Sequence, residues 1–137
     1  MGNIIEKLMI GDFIYVWNPY VVARVEGIDM TTNKIKAHIC DKLDEHCEVD
    51  ANDCSLIPIT ENVINENMTK VAIEDGINKY REGSAVVWCN FNKKPYVPMC
   101  FSESFCLKYV SDLQHLLYHC NYNSDYRRKF TYSEKID

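Results

Sequence analysis

The residues of this chain with the clearest potential for chemistry lie in the segment LKYVSDLQHLLYHCNYN, residues 107–123. The segment contains Asp112, His115 and His119, which are spaced so that one helix face would present a carboxylate and two imidazoles. A zinc-protease helix has a glutamate directly after its first histidine, but this chain has Leu116 there and shows no fourth ligand. We therefore predict no metal at this segment and a solvated polar helix face.

Other parts of the chain lack the common catalytic motifs. The cysteine- and histidine-rich segment 38–54 has His46 and Cys47 side by side instead of the paired CxxC spacing of zinc sites. The sequence contains no GxSxG, P-loop, GxGxxG or HExxH motif. These observations favour a non-enzymatic protein without a cofactor. A small metal- or cysteine-dependent hydrolase that uses His115, His119 or a reactive thiol remains the alternative.

The composition indicates one globular protein of ordinary size. The 137 residues are 47% hydrophobic and 26% charged, which is typical of soluble domains. No apolar run approaches the roughly 20 residues of a membrane span, and the start MGNIIEKLMIGD has no secretory pattern. We therefore predict a cytoplasmic protein that does not contact a membrane. The seven cysteines, an odd number, are then expected to be mostly buried thiols.

The hydrophobic pattern predicts an α+β fold, and residues 1–58 read as five short strands. The pattern is clearest in KIKAHIC, where Ile35, Ala37 and Ile39 alternate with polar residues as in a half-buried strand. Five short strands with tight connections predict a small SH3-like β-barrel, because closure removes exposed strand edges. The other predicted strand segments are DFIYVW, YVVARVEGI, CEVD and SLIPI.

Residues 59–137 are predicted to contain a helix, a three-stranded antiparallel sheet and a C-terminal helix. Thr60 is a suitable N-cap for the helix ENVINENM, and Glu61 lies in its first turn, where the helix dipole favours an anion. The three predicted strands are TKVAIED, SAVVWCNF and KPYVPMCF. The closing helix, residues 106–121, is amphipathic, so its apolar face is expected to cover the sheet. That face comprises Cys106, Tyr109, Val110, Leu113, Leu116, Leu117 and Cys120.

An excess of aromatic residues suggests ligand binding. Nine tyrosines and two tryptophans exceed the needs of a compact core, and aromatic rings near Arg or Lys can hold a nucleotide. Core and protein-interface roles are the competing interpretation. The candidate ligand-binding residues are Trp17, Tyr20, Tyr96, Asp112, His115, Tyr126, Arg127 and Arg128.

Three segments resemble a family of small uncharacterised proteins encoded by Bacteroidales phages and prophages. They are LMIGDFIYV, LIPITENVINENM and LKYVSDLQHLLYHC, which cover both ends and the middle of the chain. The chain departs from the family pattern at Ser111, His119 and Asn121. The resemblance implies a phage-type accessory protein and no particular activity. The matching positions are Gly11, Asp12, Pro58, Thr60, Tyr109, Val110, Asp112, Leu113, Gln114, His115 and Cys120.

These observations leave three hypotheses for the function. The favoured one is a non-enzymatic phage-type binding protein, considered also as a homo-oligomer, that captures a host protein or a small nucleotide immune signal in counter-defence. The second is the metal- or cysteine-dependent hydrolase. The third is a nucleic-acid-associated adaptor that uses the barrel and the basic tail. The net charge of −5 disfavours nucleic acid as the partner.

Overall fold

The computed structural model describes residues 4–17, 21–40, 45–74, 76–90, 99–100, 107–121, 130 and 132. These residues form two compact units, the first ending at Ile57 and the second beginning at Pro58. Antiparallel sheets dominate both units, and two α-helices accompany them, so the α+β prediction is confirmed. Within the described part of the chain, neither helix combines the length and apolar content needed to cross a membrane.

A single five-stranded sheet forms most of the first unit. Its strands are β1 (Phe13–Val16), β2 (Val21–Asp29), β3 (Lys34–Ile39), β4 (His46–Asp50) and β5 (Cys54–Leu56). They pair antiparallel in the order β4-β3-β2-β1-β5. Each corresponds to a strand segment predicted from the sequence, and those five predictions are confirmed.

One face of this sheet forms the core of the first unit. Ile35, Ala37 and Ile39 of β3 are each at most 1% exposed, as the period of two predicts. Ile5, from the 3₁₀ segment Ile4–Lys7, and Leu8, which follows it, pack on the same core. The opposite face, called the outer face below, carries the polar residues of these strands and is available to solvent.

Among the described residues the first sheet is open, and the closed barrel expected from the sequence is not observed. The strands β4 and β5 are its two edges and do not pair with each other. A 3₁₀ turn, Ala51–Asp53, connects them, and Asp50 caps this turn by accepting a hydrogen bond from the Asn52 amide at 2.9 Å. The three residues of β5 pair with β1. The turn therefore connects the two edge strands of the sheet, which form no hydrogen bonds with each other as a ladder.

The second unit contains a four-stranded sheet and two helices. Its elements are α1 (Glu61–Asn67), β6 (Thr69–Glu74), β7 (Ile77–Glu82), β8 (Ala85–Asn90), β9 (Met99–Cys100) and α2 (Val110–Asn121). The strands pair antiparallel in the order β6-β7-β8-β9. Of the predicted strand KPYVPMCF, only Met99 and Cys100 lie within the described residues.

The prediction of three strands in this sheet is wrong, because β7 was missed. Its sequence, INKYRE, is mostly polar, and a strand with little apolar alternation gives no signal of period two. Tight turns bound it, and Gly76 and Gly83 have φ values of 79° and 59°, which favour glycine. Burial of Asn78 and Tyr80, at 2% and 1% exposure, fixes β7 inside the unit.

Both helices begin where local side chains satisfy free backbone groups. The Thr60 hydroxyl accepts a hydrogen bond from the Val63 amide at 3.4 Å, which confirms the predicted N-cap of α1. The helix α2 begins at Val110, four residues later than predicted. Its apolar stripe is confirmed, because Val110, Leu113 and Leu117 are at most 2% exposed.

Candidate functional site

The structure describes only part of the ligand-binding set predicted from the sequence. Trp17 lies in the first unit at the end of β1, whereas Asp112 and His115 lie on α2 in the second unit. Trp17 is 40% exposed and has a φ of 65°, an uncommon conformation for a bulky residue. Its amide donates a hydrogen bond to the Asp53 carbonyl at 2.8 Å, which fixes the backbone at this position. The candidates outside the described residues are Tyr20, Tyr96, Tyr126, Arg127 and Arg128.

Asp112 has a clear structural role at the start of α2. Its Oδ2 atom accepts hydrogen bonds from the backbone amides of Lys108 and Tyr109, at 3.0 and 2.9 Å. An acidic side chain at this position that reaches back to the preceding amides is half of a capping box. The same backbone is tied to the segment before α1, because the Ile59 amide donates to the Lys108 carbonyl at 3.0 Å. Asp112 therefore helps to position the beginnings of both helices.

We expect Asp112→Ala to destabilise the second unit by about 1 kcal/mol, the usual effect of removing a helix cap. Asp112→Asn should cost less, because the amide oxygen still accepts a hydrogen bond. Urea unfolding of the three proteins, followed by circular dichroism at 222 nm, measures the difference. Equal stability of Asp112→Ala and the original protein would show that these hydrogen bonds contribute nothing.

Several residues that carry the family resemblance prove to be turn and cap residues. Gly11 has a φ of 99°, and its amide donates to the Val25 carbonyl at 2.8 Å. Asp12 is 2% exposed, and its Oδ2 atom accepts from the Met9 amide at 2.8 Å. Pro58 and Tyr109, from two different motifs, form an antiparallel bridge. These residues shape the backbone, so binding chemistry must be sought on the surfaces that they support.

An open groove on the outer face of the first sheet is a candidate site. Its volume is about 330 Å³. The groove exists because Gly27, next to a bulge in β2, has no side chain at a position that faces Lys36 of β3. Met30, on the turn after β2, lines the groove and is 68% exposed. The lining residues are Gly27, Ile28, Asp29, Met30, Lys34, Lys36 and Glu48.

Charges of both signs alternate along this groove. Lys36 lies opposite Glu48 in the β3–β4 ladder, and Lys34 lies between Asp29 and Asp50. The pKa of the Asp29 carboxyl is below its usual value, because Thr32 and Thr31 donate hydrogen bonds to it and Lys36 is near. The groove therefore combines apolar surface from Met30 with a balanced set of ionised groups.

A row of aromatic and cationic groups crosses the same outer face beside the groove. The rings of His38 and His46 stack with centroids 4.8 Å apart, and His46 Nδ1 lies 2.6 Å from Glu26 Oε1. Arg24, which lies opposite His38, stacks its guanidinium over Phe13 at 4.8 Å and donates to a backbone carbonyl. Partial burial lowers the pKa of Arg24. These contacts keep the row rigid at the centre of the sheet.

A buried polar cluster joins α1 to β7 in the second unit. The Glu61 carboxylate accepts hydrogen bonds from Asn78 Nδ2 at 2.6 Å and from the Tyr80 hydroxyl. Burial, together with the Glu61 carboxylate, raises the pKa of Tyr80, so the hydroxyl remains a neutral donor. A tyrosine with a raised pKa is a poor general base or nucleophile. The cluster therefore fixes the helix to the sheet.

Three of the four cysteines with described side chains, Cys47, Cys54 and Cys89, offer little nucleophilic reactivity. Burial raises the pKa of the Cys54 thiol to about 12, with a further contribution from Asp53. Burial also raises the pKa of Cys47, and Cys89 is fully buried. A thiol reacts as its thiolate, so these groups are largely inert at neutral pH. They are free thiols, and Cys40 is a fourth, exposed one, so only Cys89 of these four is buried as the sequence predicts for most of them. The cysteine side chains not described are Cys100, Cys106 and Cys120.

No three described His, Cys, Asp or Glu side chains are close enough together to hold a metal ion. His119 is exposed on α2, and its ring contacts Tyr118 edge to face. Comparison with protein-family models, curated proteins and solved structures gives no match. The function of the chain must therefore be argued from its own surfaces.

The groove was missed in the sequence, although a signal for it exists. A lone glycine in the predicted strand YVVARVEGI marks a bulge or a place where another group approaches closely. Which residues of β3 and β4 face that glycine depends on strand register. Register follows from the sheet as a whole, so Lys36 and Glu48 could not be assigned to one site beforehand.

Proposed function

We propose that this chain is a non-enzymatic binding protein that captures another protein in the groove over Gly27. The observation that carries the proposal is the groove itself, an open, preformed depression that combines exposed apolar surface with charges of both signs. Protein partners supply this combination, because their surfaces carry apolar side chains flanked by acidic and basic ones. The methionine at its side, Met30, is flexible and polarizable, which suits contact with a partner surface.

The charge balance of the groove favours a protein segment over a nucleotide at this position. Two lysines and two acidic residues line it, so it has no net positive charge to attract phosphate. In addition, Lys34 lies between two aspartates in the ladder, which reduces its availability to an anion. The fitting partner presents an apolar side chain toward Met30, an acidic group toward Lys36 and a basic group toward Glu48.

The biological setting of the proposal comes from the sequence resemblance. A phage-type accessory protein acts in the cytoplasm of its bacterial host, and capture of a host factor would serve counter-defence. Trp17, which is exposed at the end of β1, would provide a second contact on the same unit. We also propose that the first unit belongs to the SH3-like class. The strand order β4-β3-β2-β1-β5 and the 3₁₀ turn between β4 and β5 support that assignment.

Filling the groove tests the proposal directly. A Cβ atom at Gly27 would lie 3.7 Å from the Lys36 Cβ atom, which is ordinary van der Waals contact. Gly27→Val should therefore fold and occupy the groove. We expect it to reduce capture of the host protein at least tenfold, the effect of losing about 1.4 kcal/mol of binding. Quantitative mass spectrometry of proteins retained from a Bacteroidales lysate by each immobilised variant gives the measurement.

Matched substitutions of exposed apolar residues provide the control. Met30→Ala should weaken the same capture, whereas Ile73→Ala, which removes a similarly exposed side chain from the second unit, should not. Thermal unfolding of every variant establishes that the fold is retained. If the proteins retained by Gly27→Val and Met30→Ala match those retained by the original chain in identity and amount, the groove is not the binding site.

A further inference from the structure

The four-stranded sheet of the second unit has one face that no described element covers. The helix α1 packs against β6 and β7 on the other face, because its Glu61 bonds to Asn78 and Tyr80. The helix α2 packs against β8, whose residues on that same face, Ala85, Val87 and Cys89, are 0% exposed. On that covered face Tyr80 and Val87 are at most 1% exposed. The alternate residues of the same strands, among them Lys79, Arg81 and Trp88, face the opposite side. We call this side the open face of the second sheet.

The centre of the open face combines an aromatic ring with two cations. Lys79 lies opposite Trp88 in the β7–β8 ladder, and its ammonium nitrogen is 5.9 Å from the centre of the indole ring. Arg81, two residues along β7, lies opposite Val86 and is exposed. Strand geometry places it about 7 Å from Lys79 on the same face. The charged residues of β7 on this face, Lys79 and Arg81, are both cations.

A planar ring beside two positive charges matches one class of ligand. A nucleotide presents a flat base, which stacks on aromatic rings whatever its sequence, and a phosphate, which binds Lys and Arg. The flat surface of an antiparallel sheet lets a base lie against Trp88 while its phosphate reaches the cations. The overall charge of −5 weakens attraction to duplex nucleic acid from a distance, but a single-nucleotide contact depends on the local charge.

We infer that the open face binds a nucleotide unit, with the base stacked on Trp88 and the phosphate held by Arg81 and Lys79. The unit is either a free nucleotide or one residue of a single-stranded nucleic acid, because both have the same recognised chemistry. This site lies in the second unit and is independent of the groove proposed for protein capture. It uses none of the aromatic candidates that the sequence suggested.

Fluorescence anisotropy with the full chain tests this inference, using a labelled 12-residue oligouridylate and a labelled cyclic di-AMP as probes. We expect at least one probe to bind. Arg81→Ala should weaken binding about fivefold and Trp88→Leu about tenfold, while Trp88→Phe, which keeps a ring, should weaken it less. Binding of the oligonucleotide alone would identify single strands as the source, and binding of cyclic di-AMP alone would identify a free nucleotide.

Two variants serve as controls. Lys70→Ala removes a cation that lies over Tyr80 on the covered face, and Gly27→Val fills the groove of the first unit. Neither should change the affinity for either probe. Arg81 is exposed, so its substitution keeps the test decisive even if Trp88→Leu unfolds the protein. Absence of binding to both probes at millimolar concentration, or an affinity unchanged by Arg81→Ala, would overturn the inference.

Discussion

Glu61→Ala removes a polar side chain and is nevertheless expected to lower the free energy of unfolding by about 2–6 kcal/mol. The Glu61 carboxylate is the acceptor for Asn78 Nδ2 and for the Tyr80 hydroxyl, and both donors belong to residues at most 2% exposed. Without Glu61 both donors stay buried, and each unsatisfied polar group costs about 1–3 kcal/mol. Urea unfolding monitored by circular dichroism gives the value.

Removal of a donor should cost less than removal of the shared acceptor. Tyr80→Phe leaves the Glu61 carboxylate half-buried and still bonded to Asn78, so we expect a loss of about 1 kcal/mol. In the Glu61→Ala background, Tyr80→Phe should restore stability, because it removes a hydroxyl that no longer has its partner. A double-mutant cycle measures this coupling, which for groups in direct contact is about 0.5–3 kcal/mol.

Glu66→Ala is the matched control for this prediction. Glu66 is an exposed glutamate on the same helix, and its substitution should change stability by less than about 0.5 kcal/mol. The cluster would not stabilise the unit as described if Glu61→Ala behaved like Glu66→Ala. The same conclusion would follow if Tyr80→Phe proved more costly than Glu61→Ala.

The sequence predicted those parts of the fold that depend on local patterns. The strand β3 was found because Ile35, Ala37 and Ile39 alternate with polar residues, and α1 was found because Thr60 is a good N-cap. Both signals arise within a few residues of chain. The strand β7 was not found, because Asn78 and Tyr80 are buried by contacts with Glu61, a residue 17 or more positions away. Such burial leaves no local pattern.

The candidate sites were harder to predict than the fold, for a related reason. The motif residues Asp12, Thr60 and Asp112 were visible in the sequence, and in the structure they bond to nearby backbone amides. The groove and the open face instead arise from residues that meet across strands, such as Lys36 with Glu48 and Lys79 with Trp88. Their proximity depends on register, which one sequence does not specify. The ligand-binding roles predicted for Asp112 and His115 remain predictions.

Leu113→Ala is the second substitution with a large expected effect. Leu113 lies at the centre of the apolar stripe of α2 and is 0% exposed. Loss of its side chain removes buried apolar surface and leaves a cavity, which together cost about 2–5 kcal/mol for a leucine at such a site. A domain is stable by only about 5–15 kcal/mol, so this loss is a large fraction of the total. Urea unfolding measures it.

Substitutions of the two histidines of α2 relate the stability loss of Leu113→Ala to the function of this helix. His119→Ala, at an exposed position of the helix, should change stability by less than about 0.5 kcal/mol. A large loss for Leu113→Ala with none for His119→Ala would establish α2 as a packed structural helix with a solvated polar side. If Leu113→Ala lost less than about 1 kcal/mol, the helix would not be anchored through this stripe. The hydrolase alternative has its own test, because it requires His115→Ala to abolish a measured activity without this loss of stability.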